Sequence, residues 1–199
     1  MKIKEIQVDK VVVYEFCFEE ADKKIIRKVE EFANETSEET YKRSRMSDSD
    51  HRKNIVTGKM AEYAFSRLLH HYAGIDIQPN FENKVDLFDF NISGFKIDIK
   101  SSSMTTKRKR YSLLEALSSF NFMVLADQSF KDIIIQPLYP SRKEHNRFYF
   151  SVWQYVKIVI QANIRKKIKM NGGYGDYYLL LLNKGYPLSE LFKKIKKGG

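Results

Sequence analysis

Val85-Asp-Leu-Phe-Asp-Phe-Asn-Ile-Ser-Gly-Phe-Lys-Ile-Asp-Ile-Lys100 is the stretch on which the reading of this 199-residue chain turns. It holds two runs of strand-forming residues, 85–92 and 95–101, on either side of Ser93-Gly94, a dipeptide suited to a two-residue hairpin turn. With that turn, Ile92 faces Phe95, Asn91 faces Lys96, Phe90 faces Ile97 and Asp89 faces Asp98. Side chains alternate along a strand, so Asp98 and Lys100 share one face while Ile97 and Ile99 share the other. An acid beside a lysine fits a surface ladder of paired charges. Two aspartates directly opposite each other do not, because like charges so placed repel. A divalent cation between them removes the conflict, and hard carboxylate oxygens are the donors that Mg²⁺ prefers. Asp86 faces Ser101 in this register and points to the other side of the sheet; a bulge would bring it round as a substitute for Asp89.

Upstream of the hairpin, Ile55, Met60, Ala61, Ala64, Phe65, Leu68 and Leu69 fall mostly on one stripe, which predicts a helix from 49 or 50 to 72. Glu62 stands next to that stripe. Taken alone it reads as a solvated edge residue; beside Asp89, Asp98 and Lys100 it completes a pattern. Elsewhere the spacing predicts a β-rich opening over 2–17, a helix over 19–32, a polar connection over 34–50 and a short strand over 75–78. Downstream come a helix over 111–120, strands over 122–126, 132–136 and 148–153, a helix over 154–169, a strand over 177–182 and a helix over 188–195. The order is mixed α/β around one sheet, and with no internal repeat or low-complexity linker the whole of 1–199 reads as a single domain.

The chain at this point resembles the PD-(D/E)xK nuclease superfamily, the fold of many restriction endonucleases, junction resolvases and recombination exonucleases. The matching elements are the helix segment 58–62 with Glu62, the hairpin acid Asp89, and Asp98-Ile99-Lys100 as the acid-x-Lys element. The helix–three strands–helix–strand order of 55–126 matches as well, so the resemblance covers the central third to half of the chain. It departs from the pattern in lacking a proline before the first aspartate and in having Asp in place of Glu at 98. The resemblance implies a restriction-endonuclease-like central mixed sheet flanked by helices, and metal-assisted hydrolysis of phosphodiester bonds. Asp89, Asp98 and the Ile99 carbonyl would hold Mg²⁺, or Mn²⁺ in its place, with Glu62 ligating directly or through water. Lys100 would orient or help deprotonate the attacking water and stabilise charge at phosphorus.

Charge agrees with a polyanionic partner. Lys and Arg number 35 against 25 Asp and Glu, a formal net charge of +10. The excess is C-terminal: residues 151–199 carry 10 basic and 2 acidic side chains, whereas 1–50 carry 10 and 13. A field of this sign attracts nucleic acid, although a plain solubility surface would look the same. Lys107, Arg108, Lys109 and Arg110 open from the acid-x-Lys strand as a candidate phosphate clamp, with a solvated loop as the equal alternative. The runs 165–169 and 193–197 are positioning contacts or solvated faces.

Other chemistry-bearing residues carry less. His70 and His71 are adjacent on a helix and point about 100° apart, which rules out joint chelation. His51 and His145 read as solvent-facing. Asn171-Gly-Gly-Tyr-Gly lacks the ending of a phosphate loop and reads as a helix C-cap. Cys17, the single cysteine, excludes an internal disulfide and a cysteine-based zinc site and reads as core. No apolar run is long enough to span a bilayer and no signal-peptide pattern opens the chain, so the expected location is the cytoplasm. Together these readings give a Mg²⁺-dependent DNA endonuclease acting on duplex DNA as a homodimer, with no small-molecule cofactor. The alternatives are a structure-selective nuclease of the junction-resolvase or phage-recombination type, and a catalytically inactive DNA-binding protein of the same fold.

Overall fold

Two-residue turns set the chain's first and central hairpins. Lys2–Val8 (β1) and Val11–Cys17 (β2) pair antiparallel from Lys2↔Cys17 to Val8↔Val11, with Asp9 at φ 53° in the turn. After a short 3-10 turn come Lys23–Thr40 (α1) and Asp48–Leu68 (α2), which runs on into a π-helical turn, Leu69–Ala73. Gly74 stops it in the left-handed region at φ 71°. Phe90–Ile92 (β3) and Phe95–Ile99 (β4) form the central hairpin, with Ser93 and Gly94 at φ 50° and 80°. Positive φ at both turn positions gives a turn whose twist matches that of the strands. The pairing Ile92↔Phe95, Asn91↔Lys96, Phe90↔Ile97 is the register the sequence predicts.

Ser102–Ser103 (β5), Leu113–Ser119 (α3), Asn121–Leu125 (β6), Ile133–Ile135 (β7) and Leu138–Tyr139 (β8) follow. The remainder is Arg147–Phe150 (β9), Val152–Tyr155 (β10), Val156–Gln161 (α4), Arg165–Met170 (β11), Gly173–Leu181 (β12), Tyr186–Pro187 (β13) and Leu188–Lys197 (α5). This computed structural model describes residues 2–40, 48–81, 88–106, 108–127, 129–141, 144, 146–170 and 173–197. Among the described residues, no helix is long and apolar enough to cross a membrane.

The strands form three sheets, ordered β1-β2-β9-β8-β5, β13-β10-β7-β4-β3 and β11-β12-β6. All pairs are antiparallel except β4–β7 and β5–β8, so the architecture is mixed α/β. The single sheet expected from sequence is therefore divided. The division has a local cause, since β4, β7 and β9 each pass directly into a strand of the other five-stranded sheet. Across that seam the parallel offset is unchanged, Ile99↔Ile135 before it and Ser102↔Leu138 after it. The antiparallel partner gains a residue: three positions separate Ile135 from Leu138, but four separate Tyr149 from Trp153. This is a β-bulge at Ser151. It reverses the alternation, because Phe148 and Phe150 enter one core and, past Ser151, Trp153 enters that same core.

The two faces of the five-stranded sheets bury separate cores. Ile97, Ile99, Ile133, Ile135 and Trp153 pack with Met60, Ala64 and Phe65 of α2 and Leu191 and Phe192 of α5. Ile134, Leu138 and Val152 pack with Ala116 and Leu117 of α3, Phe122 and Val124 of β6, and Val156 and Val159 of α4. Each fully buried Ile or Phe contributes roughly 1.5–3 kcal/mol of burial free energy.

Several sequence expectations fail for identifiable reasons. The polar connection over 34–50 is helical as far as Thr40, because Glu is a good helix former and Ala33 and Thr36 are buried on the packed side. Residues 75–78 form no strand; Ile75 and Ile77 pack against the core from irregular backbone. Of the strand over 85–92 Phe90–Ile92 is seen; Phe88 and Asp89 are irregular, and 85–87 lie outside the described residues. The strand over 148–153 is broken at Ser151. The helix over 154–169 ends at Gln161, and Asn163 at φ 54° turns the chain so that Arg165–Met170 pairs with β12. The glycines near 173 therefore belong to a hairpin, not to a helix C-cap. Cys17 is half-buried at the end of β2 opposite Arg147, not in the core.

Candidate active site

Asp98 is the penultimate residue of β4, and its flanking residues Ile97 and Ile99 are drawn into the core. Strand alternation therefore sends its carboxylate out of the other face, where it is 3 % exposed. A buried carboxylate needs partners. Asp98 has two: Lys131 Nζ donates to Oδ1 at 2.5 Å, and Lys100 Nζ lies 3.2 Å from Oδ2. Lys100 is the residue after β4, whose backbone N–H still donates to the Ile135 carbonyl. Its ammonium is partly open to solvent, whereas that of Lys131 is buried.

Asp89 precedes β3. Its N–H donates to the Ile97 carbonyl, and its Oδ2 accepts from the Ile99 N–H at 2.6 Å. The carboxyl is thus tied to the strand bearing Asp98. Burial, and then the nearby Asp98 charge, push Asp89 up to about 6, although the Ile99 N–H, Lys100 and Lys59 pull the other way. The like-charge conflict expected from the hairpin is present.

Glu62 comes from α2 and is 6 % exposed, so it is not the solvated edge residue that its place beside the stripe suggests. Lys59, one helical turn earlier, donates to Glu62 Oε2 at 2.7 Å and is itself buried. Burial pushes the Lys100 ammonium down, but Asp98, Asp89 and Glu62 more than reverse this and hold it above its ordinary value. Lys100 is the group at which all three carboxylates are felt. The structure therefore brings together Glu62, Asp89, Asp98 and Lys100, and adds Lys59 and Lys131, which sequence reading missed. The i, i+3 spacing of Lys59 and Glu62 was a usable signal. Lys131 left none, because its partner lies 33 residues away in sequence.

Asp86 and Lys107 lie outside the described residues. Arg108, Lys109 and Arg110 are exposed on the turn after β5, but two of them already have acidic partners. Lys109 binds Glu115 at 2.7 Å, and Arg110 lies 3.5 Å from Glu144. Exposed pairs of this kind are screened by solvent and contribute little to stability.

Comparison of the chain with protein-family models, with curated proteins and with solved structures finds no match. The chemistry has to be argued from the side chains. Among the described residues, no three His, Cys, Asp or Glu side chains converge as a ready-made metal cage. Mg²⁺ does not need one, since it commonly keeps several waters and binds through one or two carboxylates. Asp89, just before β3, and Asp98 on β4 could supply these, and a cation between them would relieve the repulsion that helps raise Asp89. The donor set fits Mg²⁺. Gln136, level with Lys100 by the parallel offset, adds a buried Oε1 without a protein partner.

Proposed function

We propose that this chain is a Mg²⁺-dependent deoxyribonuclease with a restriction-endonuclease-like core, cleaving duplex DNA as a homodimer. The observation that carries the reading is the Lys100 ammonium beside Asp98, within the field of Asp89 and Glu62. These residues come from one helix and one hairpin, in the order that the resemblance requires. A basic surface that attracts phosphate supports DNA as the substrate.

A bound Mg²⁺ lowers the pKa of a coordinated water and polarises the scissile phosphate. Asp89 and Asp98 would hold it, with Glu62 reaching it through water. The carboxylates keep Lys100 protonated at neutral pH, so its part is that of a fixed cation: it orients the water and stabilises charge developing on the phosphoryl oxygens. Arg108, with Lys109 and Arg110 once these leave their surface acids, would track the phosphate backbone. A twofold pair of such chains matches the two strands of a duplex.

A second reading, a DNA-binding protein of the same architecture without catalysis, is favoured by one observation. Lys59, Lys100 and Lys131 already balance Glu62, Asp89 and Asp98, three charges against three. Supercoiled plasmid with Mg²⁺ or EDTA separates the two, run with wild type and Lys100→Ala. Discrete Mg²⁺-dependent fragments lost in the variant support the nuclease. Salt-sensitive binding without cleavage of plasmid or of junction DNA supports the binder.

A further inference from the structure

Asp98 already faces an ammonium at each oxygen, Lys131 at Oδ1 and Lys100 at Oδ2, so a divalent cation there would bring a third cationic group to one carboxylate. Lys131 takes Oδ1 at 2.5 Å and is 6 % exposed, so it is an interior cation. It is held there by its neighbour: Asp132 accepts from the Lys96 N–H at 2.9 Å and returns its own N–H to the Lys96 carbonyl, also at 2.9 Å. These bonds pin the start of β7 two residues from Asp98 on β4. Phe130 lies under the ammonium, 5.8 Å from Nζ to the ring centroid. Lys131 thus has a built seat on the same carboxylate that the Mg²⁺ reading requires.

We infer that Lys131 is the site's resident counter-cation, and that a divalent ion enters by displacing its ammonium from Asp98. This rests on the reading of Asp89 and Asp98 as metal ligands. The described cluster of three acids and three lysines is neutral with Lys131 in place; a dication in its stead more than replaces the attraction the ammonium gave up and leaves one net positive charge, which a substrate phosphate would offset. Lys131 is accordingly a positioning residue. It holds Asp98 Oδ1 in place in the metal-free protein, and it raises the metal concentration at which the site fills. A positive charge within contact distance of a ligand oxygen opposes a second cation strongly where water is excluded.

The test is metal affinity without DNA. Isothermal titration of Mn²⁺ into metal-free protein at pH 8 compares wild type, Lys131→Met, which keeps the chain length and removes the charge, and Lys131→Arg, which keeps the charge. Lys131→Met should bind Mn²⁺ at least about tenfold more tightly than wild type, and Lys131→Arg should bind like wild type. Equal or weaker binding by Lys131→Met overturns the exchange while leaving the metal site standing. No Mn²⁺ binding by any of the three overturns the metal reading itself. Should Lys131→Met fail to fold, the side-chain ¹⁵Nζ signal of Lys131 in wild type gives the answer, assigned by its loss in Lys131→Arg. Displacement requires that signal to shift on Mg²⁺ addition, and an unmoved signal overturns the inference.

Discussion

The fold opposes ionisation of Asp89. Its carboxyl is raised to about 6 from an ordinary 3.8, first by burial and then by Asp98. A carboxyl with a raised native pKa adds stability below its unfolded pKa, and that contribution is lost as pH climbs through the folded value. Metal-free wild type therefore loses stability between about pH 4 and pH 7 through this group. Asp89→Asn, whose amide oxygen can still accept from the Ile99 N–H, should be more stable than wild type at pH 7.5 in EDTA, by roughly 1–2 kcal/mol. The gain should vanish near pH 4; urea melts at the two pH values check it, and an equal gain at both would remove the charge argument. Asp98 is a different case, because its loss leaves Lys131 buried without a partner, a situation that typically costs about 3–5 kcal/mol. Activity lost in an Asp98 variant therefore has to be read beside its melting curve. The sequence exposes the residues with local partners: Asp98 and Lys100 are two apart on one strand, and Asp89 follows from the hairpin register. Lys131 was illegible because its pairing depends on the 36-residue parallel offset, which no local pattern encodes.

Elements show the same division between local and distant causes. α3 was legible because Ser112 and Glu115 write a capping box: Ser112 Oγ accepts from the Glu115 N–H at 3.2 Å, and Glu115 Oε2 accepts from the Ser112 N–H at 2.8 Å. Ser112→Ala should cost about 1 kcal/mol, seen as a lower thermal midpoint with an unchanged far-UV spectrum. A midpoint equal to wild type would mean that packing of Ala116 and Leu117 alone holds the helix. The helix expected over 154–169 misled because Val, Ile and Lys permit either conformation. What decides is the partner strand, with Arg165↔Tyr178 through Met170↔Gly173 aligned only once β12 exists. The break at Ser151 did have a local signal, since Phe148 and Phe150 fall on even positions and Trp153 and Tyr155 on odd ones. A phase slip of this kind marks a bulge.

At the scale of the whole molecule the positive field is the property to test. Binding to duplex DNA in EDTA should weaken steeply as salt rises, since phosphate contacts release counterions. Arg108, exposed beside two partnered cations, would be the most accessible phosphate contact among the described residues of its loop if DNA is bound as proposed. Arg108→Ala should weaken binding alike on unrelated sequences and lower the log–log salt slope by about 1. An unchanged slope would move the contact surface to the exposed cations Arg165, Lys166 and Lys167 of β11. The bulge at Ser151 bears on how such a molecule can vary. One added residue slips the phase of one strand while the parallel pairs beside it keep theirs. Removing Ser151 would leave Val152 and Trp153 each facing its present core, and would withdraw the carbonyl that accepts from the Leu188 N–H at the start of α5 at 2.9 Å. A single codon thus sets the phase of one strand across both sheets without rewriting either hydrophobic interior.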